Sequence, residues 1–224
     1  MRRRAAIGLP VALGATGALT LAGCASFGIG GETVAQVHHQ LRDPGAAMLR
    51  RQAPLVAALL IQPQPAAAMA DTVSIPYARR PGEFAFYQFA SWTERPVRLL
   101  PRLLQQRLEA RGVAGAVGVI GDPLRADWLL TMAVDAVYHD IVTPPGLGRI
   151  ALTVELFDRR SRRRVARQVF GADVASARAD SAAATAALSQ AAGQAFDALV
   201  PWLEAELQRA VQAAVVPAPP RTTP

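Results

Sequence analysis

Apolar and polar positions alternate most cleanly between Ala126 and Val142. Trp128, Leu130, Met132, Val134, Ala136 and Tyr138 fall on one side there, and Asp135 and His139 on the other. A period of two marks a strand with one buried face. Arg149 to Phe157 repeats the pattern with Ile150, Leu152, Val154 and Leu156 inward, and Val165 to Val174 returns as a third strand. Pro144-Pro145-Gly146 and the polar run Arg159 to Arg164 link the three, which predicts an antiparallel meander. The period shifts to that of a helix twice. Pro96 opens the first helix, with Val97, Leu99, Leu100, Leu103, Leu104 and Leu108 on one face, Arg102, Gln106 and Arg107 elsewhere, and Gly112 as its stop. Asp180 or Ser181 caps the second, which carries Leu188, Ala192, Phe196, Leu199, Leu203 and Leu207; Pro201 is expected to kink or divide it.

The N-terminal half is less regular. Val34 to Leu41 reads as a first strand, and the continuous apolar run Pro54 to Ile61 as a strand buried on both faces. Thr72 to Tyr77 and Glu83 to Phe89 read as strands around the turn Arg79-Arg80-Pro81-Gly82. Together these elements predict a single α+β domain over residues 34–212: an antiparallel or mixed sheet with a meander in its C-terminal half and two main helices. Residues 213–224, rich in proline, are expected to form a disordered tail.

Ahead of the domain, Met1-Arg2-Arg3-Arg4 precedes a stretch from Ala5 to Ala22 without a charged side chain. That layout is a secretory signal, so residues 1–23 are expected to be a signal peptide. The ending Leu21-Ala22-Gly23-Cys24 resembles the bacterial lipobox. The resemblance implies that Cys24 is acylated and begins the mature chain, and that the protein is anchored to a membrane rather than spanning it. The alternatives are an ordinary signal peptide with a chance cysteine, or an uncleaved anchor. Residues 24–33 then form a lipidated N-terminus and a short flexible tether; the nine residues 25–33 reach about 30 Å at full stretch. Ala25, not aspartate, follows Cys24, which by the usual sorting rule favours the outer membrane with the domain facing the periplasm.

Composition narrows the chemistry. With 51% hydrophobic and 18% charged residues the chain is globular. Its formal charge of +7 falls to about +4 once Arg2, Arg3 and Arg4 leave with the signal, so no nucleic-acid partner is expected. Cys24 is the one cysteine; acylated, it leaves no thiol for a disulfide, a metal or a nucleophile. His38 and His39 are neighbours in a strand and point to opposite faces, which argues against a metal site. The chain has no Gly-x-Ser-x-Gly, and Gly115, Gly118 and Gly121 lack the sequence of a phosphate loop. Asp135 and Asp140 read as solvated strand positions. No catalytic residue, no cofactor and no enzymatic activity are expected.

Two surface features remain. Arg159, Arg160, Arg162, Arg163 and Arg164 place five guanidiniums within six residues. They read as a solvated hairpin turn, or, more sharply, as a contact for lipid phosphates or an acidic partner. Phe84, Phe86, Tyr87, Phe89 and Trp92 concentrate aromatic side chains within nine residues. Core packing is the default, and Tyr87, Phe89 and Trp92 are the candidates for an interface.

The stretch Ser74-Ile75-Pro76-Tyr77-Ala78-Arg79-Arg80-Pro81, followed by Phe86-Tyr87, Trp92, Pro96 and the leucine-rich helix, resembles the ABC-type transport auxiliary lipoprotein family. That family includes the PqiC-like lipoproteins, which accompany MCE-domain lipid transporters. Ala126-Asp127 and Phe170 are also similar, and the resemblance covers about residues 35–205. Ser91 departs from it, since the family often has arginine there. The resemblance implies a non-enzymatic lipoprotein working with an MCE-domain protein, an ABC permease and an ATPase; a homo-oligomer would suit docking on a symmetric transporter. One rival is an envelope lipoprotein regulating a peptidoglycan synthase or a secretion machine. A second is a lipid carrier with its own cavity.

Overall fold

The computed structural model describes residues 35–45, 49–65 and 67–215. The expected signal segment, Leu21, Ala22, Gly23, Cys24, the expected tether and residues 216–224 of the expected tail lie outside them, while residues 213–215 of that tail are helical. In chain order the elements are β1 (Val37–His39), β2 (Val56–Pro63), β3 (Ser74–Arg80), β4 (Glu83–Trp92), α1 (Pro96–Arg111), β5 (Ala114–Val119), β6 (Trp128–Asp140), β7 (Leu147–Asp158), β8 (Arg163–Ala175) and α2 (Ser181–Val215). They form one α+β domain around a mixed eight-stranded sheet.

Strand β6 organises that sheet. One of its edges pairs antiparallel with β7 along nearly its whole length, and β7 pairs with β8, giving the meander. The other edge is shared. Trp128 to Met132 pair in parallel with β2, while His139 and Asp140 pair in parallel with β3. The sheet therefore forks, with β2 and β5 on one branch and β3, β4 and β1 on the other. β5 has no counterpart among the segments expected from the sequence. Its Ala-Gly-Ala-Val-Gly-Val lacks strong alternation, and a Cβ at Gly115 would lie 2.8 Å from the Ala57 carbonyl oxygen, so small residues let the two strands meet.

Both helices cover one core. Leu99, Leu100, Leu104 and Leu108 of α1 are buried there with Leu130, Met132, Leu152 and Val154 of the sheet. Each fully buried leucine contributes about 1.5–3 kcal/mol. Gly112 ends α1 in the left-handed conformation at φ 71°, its amide donating to the carbonyls of Leu108 and Glu109. Asp180 caps α2 by accepting the Ala183 amide at 2.8 Å. Contrary to the sequence expectation, α2 runs undivided for 35 residues through Pro201, about 50 Å at 1.5 Å per residue. Pro201 is exposed, so its ring meets solvent, and Leu199, Leu203 and Leu207 on either side stay buried. An alanine seam brings α2 close to β7: a Cβ at Gly148 would come within 2.7 Å of the Ala187–Leu188 backbone. No described helix is long and apolar enough to cross a membrane.

Arg107 departs from the polar position that helical periodicity assigns it. Its side chain is 7% exposed, with Nε donating to Asp43 Oδ2 at 2.7 Å and Nη1 to Asp197 Oδ1 at 2.5 Å. The same guanidinium donates to the Gly193 carbonyl at 3.2 Å and lies 5.6 Å from the Phe196 ring centroid. A Cβ at Gly45 would collide with this group, so glycine there leaves room for the arginine. A second clasp joins the helices, where Arg111 grips Glu204 in bidentate fashion at 2.7 and 3.1 Å.

Candidate functional site

The arginine run folds as a tight hairpin between β7 and β8. Asp158 holds the turn by accepting the Arg160 amide at 2.9 Å and Ser161 Oγ at 2.8 Å. Burial pushes its pKa up, but these hydrogen bonds outweigh burial and leave the carboxyl below the usual range, so it stays ionised. Arg162 takes φ 57°, the left-handed region, to close the turn. Strand β8 begins at Arg163, so Arg163 and Arg164 belong to the strand and not to the polar link. The five side chains then diverge. Arg159 donates to the Ala126 carbonyl at 2.8 Å, Arg160 pairs with Asp127 at 2.5 Å and Arg164 with Glu155 at 2.8 Å. Arg162 and Arg163 make no side-chain hydrogen bond or ion pair among the described residues. The turn is partly self-neutralised, with guanidiniums left over.

Strand β4 separates the aromatic candidates. Trp92 is 2% exposed and belongs to the core, which corrects the interface expectation. At Ala90–Trp92 the strand is flanked by β1, and the indole is enclosed. Tyr87 also turns inward: it is half-buried against the core, and its hydroxyl lies 2.8 Å from His139 Nδ1. Phe89 is exposed at 52%, together with Phe86 at 45% and Phe84 at 40%. Phe84 meets Tyr138 edge-on at 5.1 Å. Because β1 covers only Ala90–Trp92, the outer edge from Glu83 to Phe89 has no strand neighbour among the described residues. An unpaired edge bearing three exposed phenylalanines is an open surface for a partner. The sequence expectation missed Phe84 and Phe86, because strict alternation assumes one buried face and this end of β4 has none.

Each of the three histidines lies within hydrogen-bond reach of a hydroxyl. His38 Nδ1 lies 2.8 Å from Ser91 Oγ, and His39 Nδ1 lies 3.3 Å from Thr185 Oγ1 on α2. Ser91, the position where the family often has arginine, is thus a buried hydrogen-bonding residue. His139 is fully buried rather than solvated. A bulge at Asp135 shifts the β6–β7 register, so that Val137 and His139 turn inward past it while Asp135 stays out. Burial holds the His139 pKa below its ordinary 6.5, against smaller opposing influences from the Pro145 backbone, Asp140 and Asp180. Burial, together with the Asp180 charge, pushes Tyr87 up to about 12, so the phenol stays protonated within hydrogen-bond distance of the imidazole.

With a lowered native pKa, the unfolded chain binds the extra proton more readily. Stability is therefore full above the ordinary histidine pKa and declines as pH falls through it. Thermal unfolding at pH 7 and pH 5 should show a lower midpoint at pH 5, and the drop should shrink in His139→Phe. An equal drop in the variant would place the acid sensitivity elsewhere.

Three comparisons bear on what this domain is. The model of the family described as ABC-type transport auxiliary lipoprotein component matches residues 39–200. A crystal structure of a protein from Xanthomonas campestris superposes with a TM-score of 0.69 at 25% identity, covering 78% of this chain and 99% of that one. A second solved structure, of an uncharacterised protein, superposes at 0.55 with 14% identity over 79% of this chain and 99% of its own, which speaks to the fold alone. No curated protein matches the chain.

Proposed function

Because the chain belongs to the ABC-type transport auxiliary lipoprotein family, we propose that it is a non-enzymatic lipoprotein of the outer membrane that docks an MCE-type lipid transporter. In this reading acylated Cys24 fixes one end to the membrane, facing the periplasm. The folded domain binds the MCE-domain protein, or the permease and ATPase that work with it, and phospholipid then crosses the periplasm between the two membranes. The observation that carries the reading is the span of the family match, which takes in nearly all of the folded domain.

Two features of the molecule support a docking role. The tether, nine residues and about 30 Å at most, keeps the domain near its own membrane, so a partner must come to it. The outer edge of β4 offers backbone hydrogen-bonding groups beside Phe84, Phe86 and Phe89, a combination that accepts an added strand or an apolar surface. Affinity purification of the full-length tagged protein from detergent-solubilised cells should bring down the MCE-domain protein or a transporter subunit. Recovery of a peptidoglycan synthase or a secretion subunit in their place would overturn the proposal.

A further inference from the structure

A cleft of about 680 Å³ opens between the start of β2, the N-terminal end of β6, the β7–β8 turn and the last turns of α2. That volume falls within the roughly 300–1,000 Å³ of small-molecule sites. Leu55, Val56, Trp128 and Val211 give it an apolar lining, and Val165 lines it at an exposed position. Its rim carries four guanidiniums, Arg125, Arg160, Arg163 and Arg164, against two carboxylates, Asp127 and Asp158. The carboxylates are already engaged, Asp127 by Arg160 and Asp158 by the turn it caps. Arg164 is held by Glu155. Arg125 and Arg163 make no side-chain hydrogen bond or ion pair among the described residues. Solvent-facing guanidiniums not engaged by a described carboxylate, at the mouth of a cleft with an apolar lining, complement a ligand with an anionic head and a hydrocarbon tail.

We propose that this cleft binds one anionic phospholipid molecule, its phosphate on Arg125 and Arg163 and one acyl chain along Leu55, Trp128 and Val211. The assignment goes beyond docking and does not depend on it, because the cleft and the open edge of β4 are built from different strands. Arg163 acts in it as a head-group contact, and Trp128 as an apolar wall.

The test uses the full-length acylated protein reconstituted in phosphatidylcholine vesicles containing phosphatidylglycerol with a photoactivatable group in its acyl chain. After irradiation, peptide mass spectrometry should find the label on residues 55–58, Trp128 or Val211. The same group on phosphatidylcholine should label these positions about tenfold less, since it brings no net negative charge to the rim. Arg125→Gln combined with Arg163→Gln should lower labelling by about tenfold, while the corresponding double lysine variant should retain most of it. Val165→Glu, which sets a carboxylate beside the rim at an exposed position, should also reduce it. These side chains are solvent-exposed, and an unchanged melting temperature would establish that the variants fold. Equal labelling by the two lipids, labels confined to the arginine turn, or undiminished labelling in the double glutamine variant would each overturn the assignment.

Discussion

Replacing Arg107 with alanine lowers the stability of the domain by about 3–5 kcal/mol, because it leaves the largely buried Asp43 carboxylate without its partner. For a domain of this size that shift moves the thermal midpoint down by about 10 °C or more. The size of the effect follows from where the guanidinium sits. Asp43, in the segment after β1, and Asp197, in α2, both converge on it from outside α1. The Gly193 carbonyl and the Phe196 ring complete its surroundings. Truncation removes these contacts together. Pairing Arg107→Met with Asp43→Asn should cost less than the two single changes summed, since the double variant leaves only the partly exposed Asp197 without its partner. Strict additivity, measured by urea unfolding, would mean that the two groups act independently.

Cys24→Ser should abolish acylation outright. Each buried methylene of an acyl chain contributes about 0.8 kcal/mol of membrane affinity, and stable anchoring takes two such signals. No other cysteine could take the lipid in its place. Cells fed an alkyne-tagged palmitate should label the wild-type protein and leave the variant at background, and the variant should be missing from the outer-membrane fraction. Persistent label on the variant would mean that the lipid is attached elsewhere.

Where one face of an element is buried throughout, periodicity located it well. Ile150, Leu152, Val154 and Leu156 of β7 are all buried, as is every apolar position named in advance on α2. The departures share a cause: local rules that tertiary contacts override. The bulge at Asp135 exchanges the faces of β6, so His139 is buried where alternation had placed it in solvent. β5 is held by parallel pairing to β2, a contact between residues nearly sixty apart that no local pattern announces. Arg107 is buried because two carboxylates from distant segments meet it, and charge alone had placed it outside. Among the candidate site residues, Phe89 is exposed, whereas Tyr87 and Trp92 turn into the core. Phe84 and Phe86 stand exposed because this end of β4 lies beyond the core, which alternation along the strand does not reveal.

The central claim is that the folded domain contacts a lipid transporter from its place beside the membrane. A photo-cross-linking phenylalanine analogue introduced in cells at Phe86 or Phe89 reads that contact directly, with Gln208 on the exposed side of α2 as the control position. The account predicts an adduct between this protein and an MCE-domain or permease subunit from the β4 positions and none from Gln208. Adducts to unrelated envelope proteins, or the same adduct from all three positions, would contradict it.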